Sequence, residues 1–165
     1  MRIIGIDPGY AIVGFGIVDY SKGRVLDYGA ITTDKDTPFP NRLCEIYDDF
    51  CQILDNWKPD ALSIERLYFT NNQKTGIDVA QARGIIIMAA AQRGIEINEY
   101  TPLQVKQAVV GYGQAVKKQV QEMTKNILKL PAVPKPDDTA DALAMTICHG
   151  QTSGSLLRNL RTSNI

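Results

Sequence analysis

Four carboxylates occupy positions that suggest chemistry more than packing. Asp7 and Glu65 each end a short apolar run that is typical of a buried strand. Asp138 and Asp141 lie three residues apart at the start of a helical segment, and therefore on one face of it. If the two strands are neighbours, all four acids meet at one edge of the sheet. Like charges placed together need a counterion, and oxygen ligands without clustered Cys or His favour Mg²⁺ or Mn²⁺ over Zn²⁺.

Each acid taken alone also has a structural interpretation. Asp7 precedes Pro-Gly and suits a turn, and Glu65 suits an ordinary strand end. Asp137 or Asp138 could cap the last helix, where Asp141 would interact favourably with the helix dipole. The prediction of a metal site therefore depends on the joint arrangement. Two ions about 4 Å apart in such a site can activate a water and stabilise the leaving oxygen in phosphodiester hydrolysis.

The elements that must position these acids alternate in type along the chain. Predicted strands cover residues 3–6, 10–20, 24–33, 61–65 and 95–100. Predicted helices cover residues 40–58, 77–93, 114–130 and 137–150, with one more opening at Thr101-Pro102, and a polar loop covers residues 68–76. Hairpins come first and strand–helix alternation follows. This order predicts an α/β fold with a mixed sheet and helices on its faces.

Length and composition exclude several classes of protein. The 165 residues suit one domain, which we expect at residues 1–150, followed by a flexible tail at 151–165. The longest apolar run, residues 84–91, is too short to span a membrane, and the N-terminus lacks the apolar stretch of a signal peptide. Three cysteines without a CxxC pair argue against a disulfide framework or a zinc site. We therefore expect a cytoplasmic protein without membrane association.

The formal net charge of zero conceals two unlike parts. Residues 1–100 sum to −4, whereas residues 101–165 sum to +4. Within residues 101–135, a single acid, Glu122, stands among the lysines Lys106, Lys117, Lys118, Lys125, Lys129 and Lys135. This pattern predicts a local basic face and salt-sensitive binding to a polyanion such as DNA.

Six short motifs, in this order and spacing, resemble the bacterial RuvC Holliday-junction resolvases over residues 2 to about 150. They are Gly5-Ile6-Asp7-Pro8-Gly9, Ser63-Ile64-Glu65, Gln81-Ala82-Arg83-Gly84, Gln104-Val105-Lys106-Gln107, Val109-Val110-Gly111 and Asp138-Thr139-Ala140-Asp141-Ala142-Leu143-Ala144. The resemblance implies a ribonuclease H-like fold: a mixed five-stranded sheet, with strands 1–3 as an antiparallel meander followed by parallel strands, and helices on both faces.

The same resemblance implies an activity. A homodimer would nick two strands of like polarity in a four-way DNA junction, in a magnesium-dependent reaction that leaves 5′-phosphate and 3′-hydroxyl ends. It would serve recombination and DNA repair in the bacterial cytoplasm, together with the RuvA and RuvB branch-migration complex. The nearly apolar helix at residues 77–93 is our candidate for the dimer interface.

Individual roles also follow from the resemblance. The catalytic acids Asp7, Glu65, Asp138 and Asp141 would bind two Mg²⁺ ions per subunit, with Mn²⁺ able to substitute. Asp137 adds a third acid beside the usual pair, but the spacing of the motif favours Asp138. Lys106 and Lys117 match lysines near the scissile phosphate, and Lys118 is adjacent. The remaining predicted DNA contacts are Tyr68, Phe69, Asn72 and Lys74, and an aromatic at Tyr68 or Phe69 would stack on junction bases.

His149 is predicted to have a structural or surface role, because three helical turns, roughly 16 Å, separate it from Asp138.

Three other functions remain open at this point. Another ribonuclease H-like nuclease would keep the chemistry and act on RNA–DNA hybrids. A pseudo-enzyme would bind branched DNA without cutting it. The Gly-Ile-Asp-Pro-Gly motif also resembles the first phosphate loop of actin-like ATPases and sugar kinases, although 165 residues leave little room for the second lobe that those proteins need.

Overall fold

The computed structural model describes residues 1–67 and 73–162, apart from the side chains of residues 73, 74 and 155–162. Five strands and five α-helices make up this part of the chain. In chain order they are β1 (Arg2–Asp7), β2 (Ile12–Asp19), a 3-10 turn (Tyr20–Lys22), β3 (Arg24–Thr32), α1 (Phe39–Trp57), β4 (Ala61–Glu65), α2 (Gln73–Gln92), β5 (Glu96–Tyr100), α3 (Pro102–Val110), α4 (Lys117–Ile127) and α5 (Asp137–Thr162).

The five strands form one mixed sheet in the order β3-β2-β1-β4-β5. Tight turns join β1, β2 and β3 into an antiparallel meander. The strands β4 and β5 arrive through helical crossovers and run parallel to β1, as crossover connections require. The predicted α/β class and the mixed five-stranded sheet are confirmed.

Helices cover both faces of the sheet, and the alternation of side chains along β1 separates the two cores. Ile4 and Ile6 point into the core that contains Phe50 of α1 and Ile86 of α2. The intervening residue Gly5 faces α5 instead, as does Asp7 two positions further on. The middle of β1, from Ile3 to Ile6, is buried because β1 is the central strand of the sheet.

Glycines on the second face let α5 lie directly on the strands. A Cβ atom at Gly5 would come within 2.0 Å of the carbonyl oxygen of Ala142, and one at Gly14 within 2.1 Å of the carbonyl oxygen of Asp138. Gly14 is the partner of Asp7 in the β1–β2 ladder. The start of α5 therefore rests beside Asp7 because β2 carries no side chain there.

Two predicted boundaries are wrong. The last helix does not end at residue 150, because α5 continues to Thr162. The polar residues that suggested a loose tail bond to the helix itself: Thr152 donates to the carbonyl of Cys148, and Ser153 donates to that of Gly150. The predicted loop 68–76 also ends early, because α2 begins at Gln73. The separation of a nuclease domain, 1–150, from a C-terminal tail remains a prediction.

No helix in the described part of the chain combines the length and the apolar character that a membrane span requires.

Replacing Gly5 by Ala tests whether the close approach of α5 holds the fold together. The added methyl group collides with backbone on the opposite side, so we expect the free energy of unfolding to fall by about 1–3 kcal/mol. Gly154→Ala is the matched control, since a Cβ there has nothing within 4 Å and the site is an exposed helix position. It should stabilise the protein by about 0.5–1 kcal/mol. Urea unfolding measures the free energy of unfolding of both variants. Equal changes in the two variants would contradict the close packing of α5 on Gly5.

Candidate active site

The strand register places two of the predicted acids side by side. β1 and β4 are parallel neighbours, and Ile6 pairs with Ile64. The next residues, Asp7 and Glu65, are the last of their strands, so both carboxylates lie at the carboxyl edge of the sheet. Both side chains are half-buried. This edge is where open α/β sheets usually carry their sites.

The first turns of α5 bring Asp138 and Asp141 to the same edge. Their charges act on Asp7: burial first, and then Asp141, Asp138 and Glu65, raise the pKa of the Asp7 carboxyl to about 7. The pKa of Glu65 is raised as well, by burial and then by Asp141. The structure thus brings together the four acids that the sequence singled out.

One helix, α4, holds Asp141 with two side chains that are one helical turn apart. The ammonium of Lys117 lies 2.8 Å from Oδ2 of Asp141, and Nε2 of Gln121 donates to Oδ1 across 3.5 Å. The hydrogen bond to Asp141 raises the pKa of Lys117. Lys117 also offsets part of the repulsion in the cluster, because its charge lowers the pKa of Asp7 and Glu65.

Gln121 was missed by the sequence reasoning. Its side chain is only 8% exposed, which is unusual for glutamine on a helix as polar as α4. The available signal was its spacing of four residues after Lys117, which places both on one helix face.

Asp137 has a different environment from Asp138. It forms an ion pair with Lys135 at 2.5 Å, and that hydrogen bond lowers the pKa of Asp137. Asp138, and not Asp137, is among the groups that raise the pKa of Asp7. These charges favour Asp138 as the partner of Asp7. Asp137 remains close to the site, because Lys117 and Gln121 also lower its pKa.

The donor chemistry of the cluster fits a hard divalent cation, because every acidic group in it offers carboxylate oxygens. Within residues 1–67 and 73–162, no three acidic, histidine or cysteine side chains already converge to a coordination sphere. Asp141 directs one oxygen at Lys117 and the other at Gln121. An ion that binds there must compete with Lys117 and Gln121 for the oxygens of Asp141.

The other predicted lysines and the histidine differ in their surroundings. Lys106 is half-buried on α3, and within the described residues it makes no ion pair with the four acids. Lys118 is exposed next to Lys117. His149 is 3% exposed and shares a 2.8 Å hydrogen bond with the hydroxyl of Tyr100. The predicted structural role of His149 is confirmed.

The predicted DNA-contacting segment falls largely outside the described residues. Tyr68, Phe69 and Asn72 all belong to that undescribed stretch. Lys74 lies in the first turn of α2, and its side chain is outside the description. Their roles stay predictions.

Known proteins are similar in sequence to this chain over nearly its whole length. The family model described as crossover junction endodeoxyribonuclease RuvC matches residues 3–149. The crossover junction endodeoxyribonuclease RuvC of Ruminiclostridium cellulolyticum is 55% identical over 98% of this chain and 99% of its own length. The protein of the same description from Brevibacillus brevis is 54% identical over 92% of each chain.

Solved structures share the fold. Thermus thermophilus RuvC in complex with a Holliday junction substrate superposes with a TM-score of 0.85 at 32% identity, covering 90% of this chain and 92% of that one. The yeast mitochondrial Holliday junction resolvase Ydc2 has a TM-score of 0.65 at 12% identity over 99% of this chain and 84% of that one. The second similarity concerns the fold alone.

The raised pKa of Asp7 predicts that the acidic site lowers the stability of the metal-free protein in a pH-dependent way. Its usual pKa is 3.8, so between about pH 4 and pH 7 the unfolded chain has released a proton that the folded chain keeps. Stability of the metal-free protein therefore falls as pH rises through this window, by at most about 4 kcal/mol.

Asp7→Asn removes that ionisation. We expect the variant to be more stable than the parent by about 1–3 kcal/mol at pH 8.5 in chelator, with the difference shrinking towards pH 4. Urea unfolding at several pH values measures the difference, and Asp137→Asn, at an exposed acid, is the control. A difference independent of pH would show that Asp7 ionises normally.

Proposed function

This chain belongs to the RuvC family of crossover junction endodeoxyribonucleases, and from that membership we propose that it resolves Holliday junctions by nicking two strands of like polarity. The observation that carries the proposal is the convergence of Asp7, Glu65, Asp138 and Asp141 at one sheet edge. The Thermus thermophilus relative, described in complex with a Holliday junction substrate, supports the choice of DNA. Family membership leaves no support for the ATPase alternative.

Enzymes of this family depend on a metal ion, and we assign the ion-holding role to the four acids. Two Mg²⁺ ions per subunit, replaceable by Mn²⁺, would balance the four negative charges of these carboxylates. Bound there, the ions supply an attacking water of lowered pKa and stabilisation of the departing 3′ oxygen. Asp7 must give up its proton to take part, so its raised pKa favours ion binding above about pH 7.

The residues of α4 are placed to handle the phosphate. Lys117 is 59% exposed, so its ammonium can reach a phosphate oxygen while remaining close to Asp141. Gln121 keeps Asp141 oriented from the buried side. Lys106 and Lys118 would contact flanking phosphates, and Tyr68, Phe69, Asn72 and Lys74 would contact the junction itself. The bond that breaks is between phosphorus and the 3′ oxygen, which leaves a 5′-phosphate and a 3′-hydroxyl.

A homodimer explains how two strands are nicked together, and α2 offers a surface for it. One face of α2 packs on the core through Ala82 and Ile86, whereas Ile77, Gly84 and Met88 on another face are exposed. We propose that two α2 helices meet across a two-fold axis, which would place one site on each of two strands of like polarity. Action with RuvA and RuvB in the bacterial cytoplasm belongs to the same proposal.

Neutralising single acids tests the assignment. Asp7→Asn and Asp138→Asn should each lower the nicking of a synthetic four-way junction by at least about a hundredfold, because an ion loses a charged ligand. Junction binding in chelator, measured by gel shift, should persist. Asp137→Asn is the matched control, and its nicking should stay within about twofold of the parent. Loss of nicking in Asp137→Asn with retention in Asp138→Asn would show that Asp137, and not Asp138, is the ligand.

A panel of substrates separates the proposal from the two remaining alternatives, another ribonuclease H-like nuclease and a non-cutting junction-binding protein. With Mg²⁺ the parent should cut the junction and leave duplex, flap and RNA–DNA hybrid substrates largely uncut. Preferred cleavage of the hybrid would indicate the other ribonuclease H-like activity. Binding of the junction without any cut would indicate the non-cutting protein.

Charge on the exposed face of α2 should separate the subunits. Met88 is 44% exposed, and Met88→Glu would bury a carboxylate in the proposed dimer, so we expect a one-subunit mass by light scattering at micromolar concentration. Met123→Glu on α4, where the parent side chain is 38% exposed, is the control and should keep the two-subunit mass. A parent protein of one-subunit mass would argue against the dimer.

A further inference from the structure

One arginine outside the acidic cluster contacts the backbone of a catalytic residue. Arg83 lies on α2, and its side chain is only 13% exposed. Its Nε donates to the backbone carbonyl oxygen of Glu65 across 3.2 Å. Its Nη2 lies 3.1 Å from Oε2 of Glu99 on β5, which balances the charge. The motif around Arg83 carries no assigned role in the mechanism above.

The carbonyl that Arg83 binds lies at the end of a strand. Glu65 is the last residue of β4, where the regular ladder stops. On the side of β5, the pairing reaches Tyr100, whose carbonyl accepts from the amide of Arg66. Arg83 adds a charged donor from a different layer of the fold, and charge-assisted hydrogen bonds are stronger than neutral ones. It therefore restrains the end of β4 at the residue whose carboxylate faces Asp7 and Asp141.

Arg83 restrains the backbone of Glu65 without engaging its carboxylate. The groups that act on the pKa of Glu65, after its burial, are Asp141 and Lys117, and Arg83 is not among them. The carboxylate oxygens consequently stay available to an ion. Lys117 differs in this respect, because it binds the carboxylate of Asp141 directly.

We propose that Arg83 is a positioning residue, which holds Glu65 in place for metal binding by anchoring the end of β4 to α2. This inference rests on the proposed role of Glu65 as a metal ligand. Groups that orient metal ligands typically change metal affinity or activity by 10- to 100-fold when they are removed.

The test compares Arg83→Met, which keeps the apolar stem and loses every donor, with Arg83→Lys, which keeps the charge near Glu99 but loses the planar fork. The first readout is the affinity for Mn²⁺ alone, measured by electron paramagnetic resonance. We expect Arg83→Met to bind Mn²⁺ about tenfold more weakly and Arg83→Lys to fall in between. Arg93→Met is the control: Arg93 follows the same helix and pairs at 2.7 Å with Asp55, away from the site, so its affinity should not change.

The second readout is junction cleavage. Arg83→Met should lower kcat at subsaturating Mn²⁺ and leave the KM for the junction unchanged, with partial recovery at high Mn²⁺. If Arg83→Met lowers only the melting temperature and binds Mn²⁺ as the parent does, its role is structural and the inference is wrong. If Arg83→Met does not fold, Arg83→Lys and Glu99→Gln test the inference instead. Each should weaken Mn²⁺ binding while the protein stays folded. Parental Mn²⁺ affinity in both variants would overturn the inference.

Glu65→Gln separates this inference from the proposed function. Parental Mn²⁺ affinity and nicking in Glu65→Gln would overturn the assignment of the site itself. Loss of both in Glu65→Gln, with parental behaviour in Arg83→Met, would overturn only the role of Arg83.

Discussion

Repulsion among four carboxylates at one edge of the sheet is the constraint on which the rest of this structure depends. Burial and three like charges raise the pKa of Asp7 to about 7, so the fold carries an electrostatic cost at neutral pH. Packing elsewhere must supply the stability that keeps the acids together. The two cores on either side of β1 do so, with α5 lying on a face that Gly5 and Gly14 leave bare. A metal ion that binds the cluster offsets this repulsion. Metal binding should therefore also increase the stability of the fold.

Three helices act on the acids, and none of them neutralises the cluster. α5 carries Asp138 and Asp141 to the strand ends, and α4 holds Asp141 through Lys117 and Gln121. On the other face of the sheet, α2 reaches the backbone of Glu65 through Arg83. The arrangement leaves the carboxylates enough negative charge to attract divalent cations, while the lysines of residues 101–135 provide positive charge for DNA. The zero net charge of the chain is therefore compatible with a metal-dependent DNA-cutting enzyme.

Much of the site was predictable because it depends on local patterns. Two apolar runs that each end in an acid predicted two buried strands that could be neighbours, and a spacing of three predicted that Asp138 and Asp141 share a helix face. The contacts of Gln121 and Arg83 were not predictable, because they depend on how α4 and α2 are rotated against the sheet. The choice between Asp137 and Asp138 also depends on such a rotation, which directs Asp137 to Lys135. The extension of α5 to Thr162 was missed because Thr and Ser side chains there bond back to the helix, a use that composition does not reveal.

We expect the acids to form one coupled cluster whose proton is exchanged for a metal ion. The most direct measurement counts the protons released when Mn²⁺ binds, by calorimetry in two buffers of different ionisation enthalpy. With the pKa of Asp7 at about 7, binding at pH 7 should release about half a proton per subunit, and release should approach zero at pH 9. Mn²⁺ binding at pH 7 with no proton released would show that the acidic cluster holds no proton that the ion displaces.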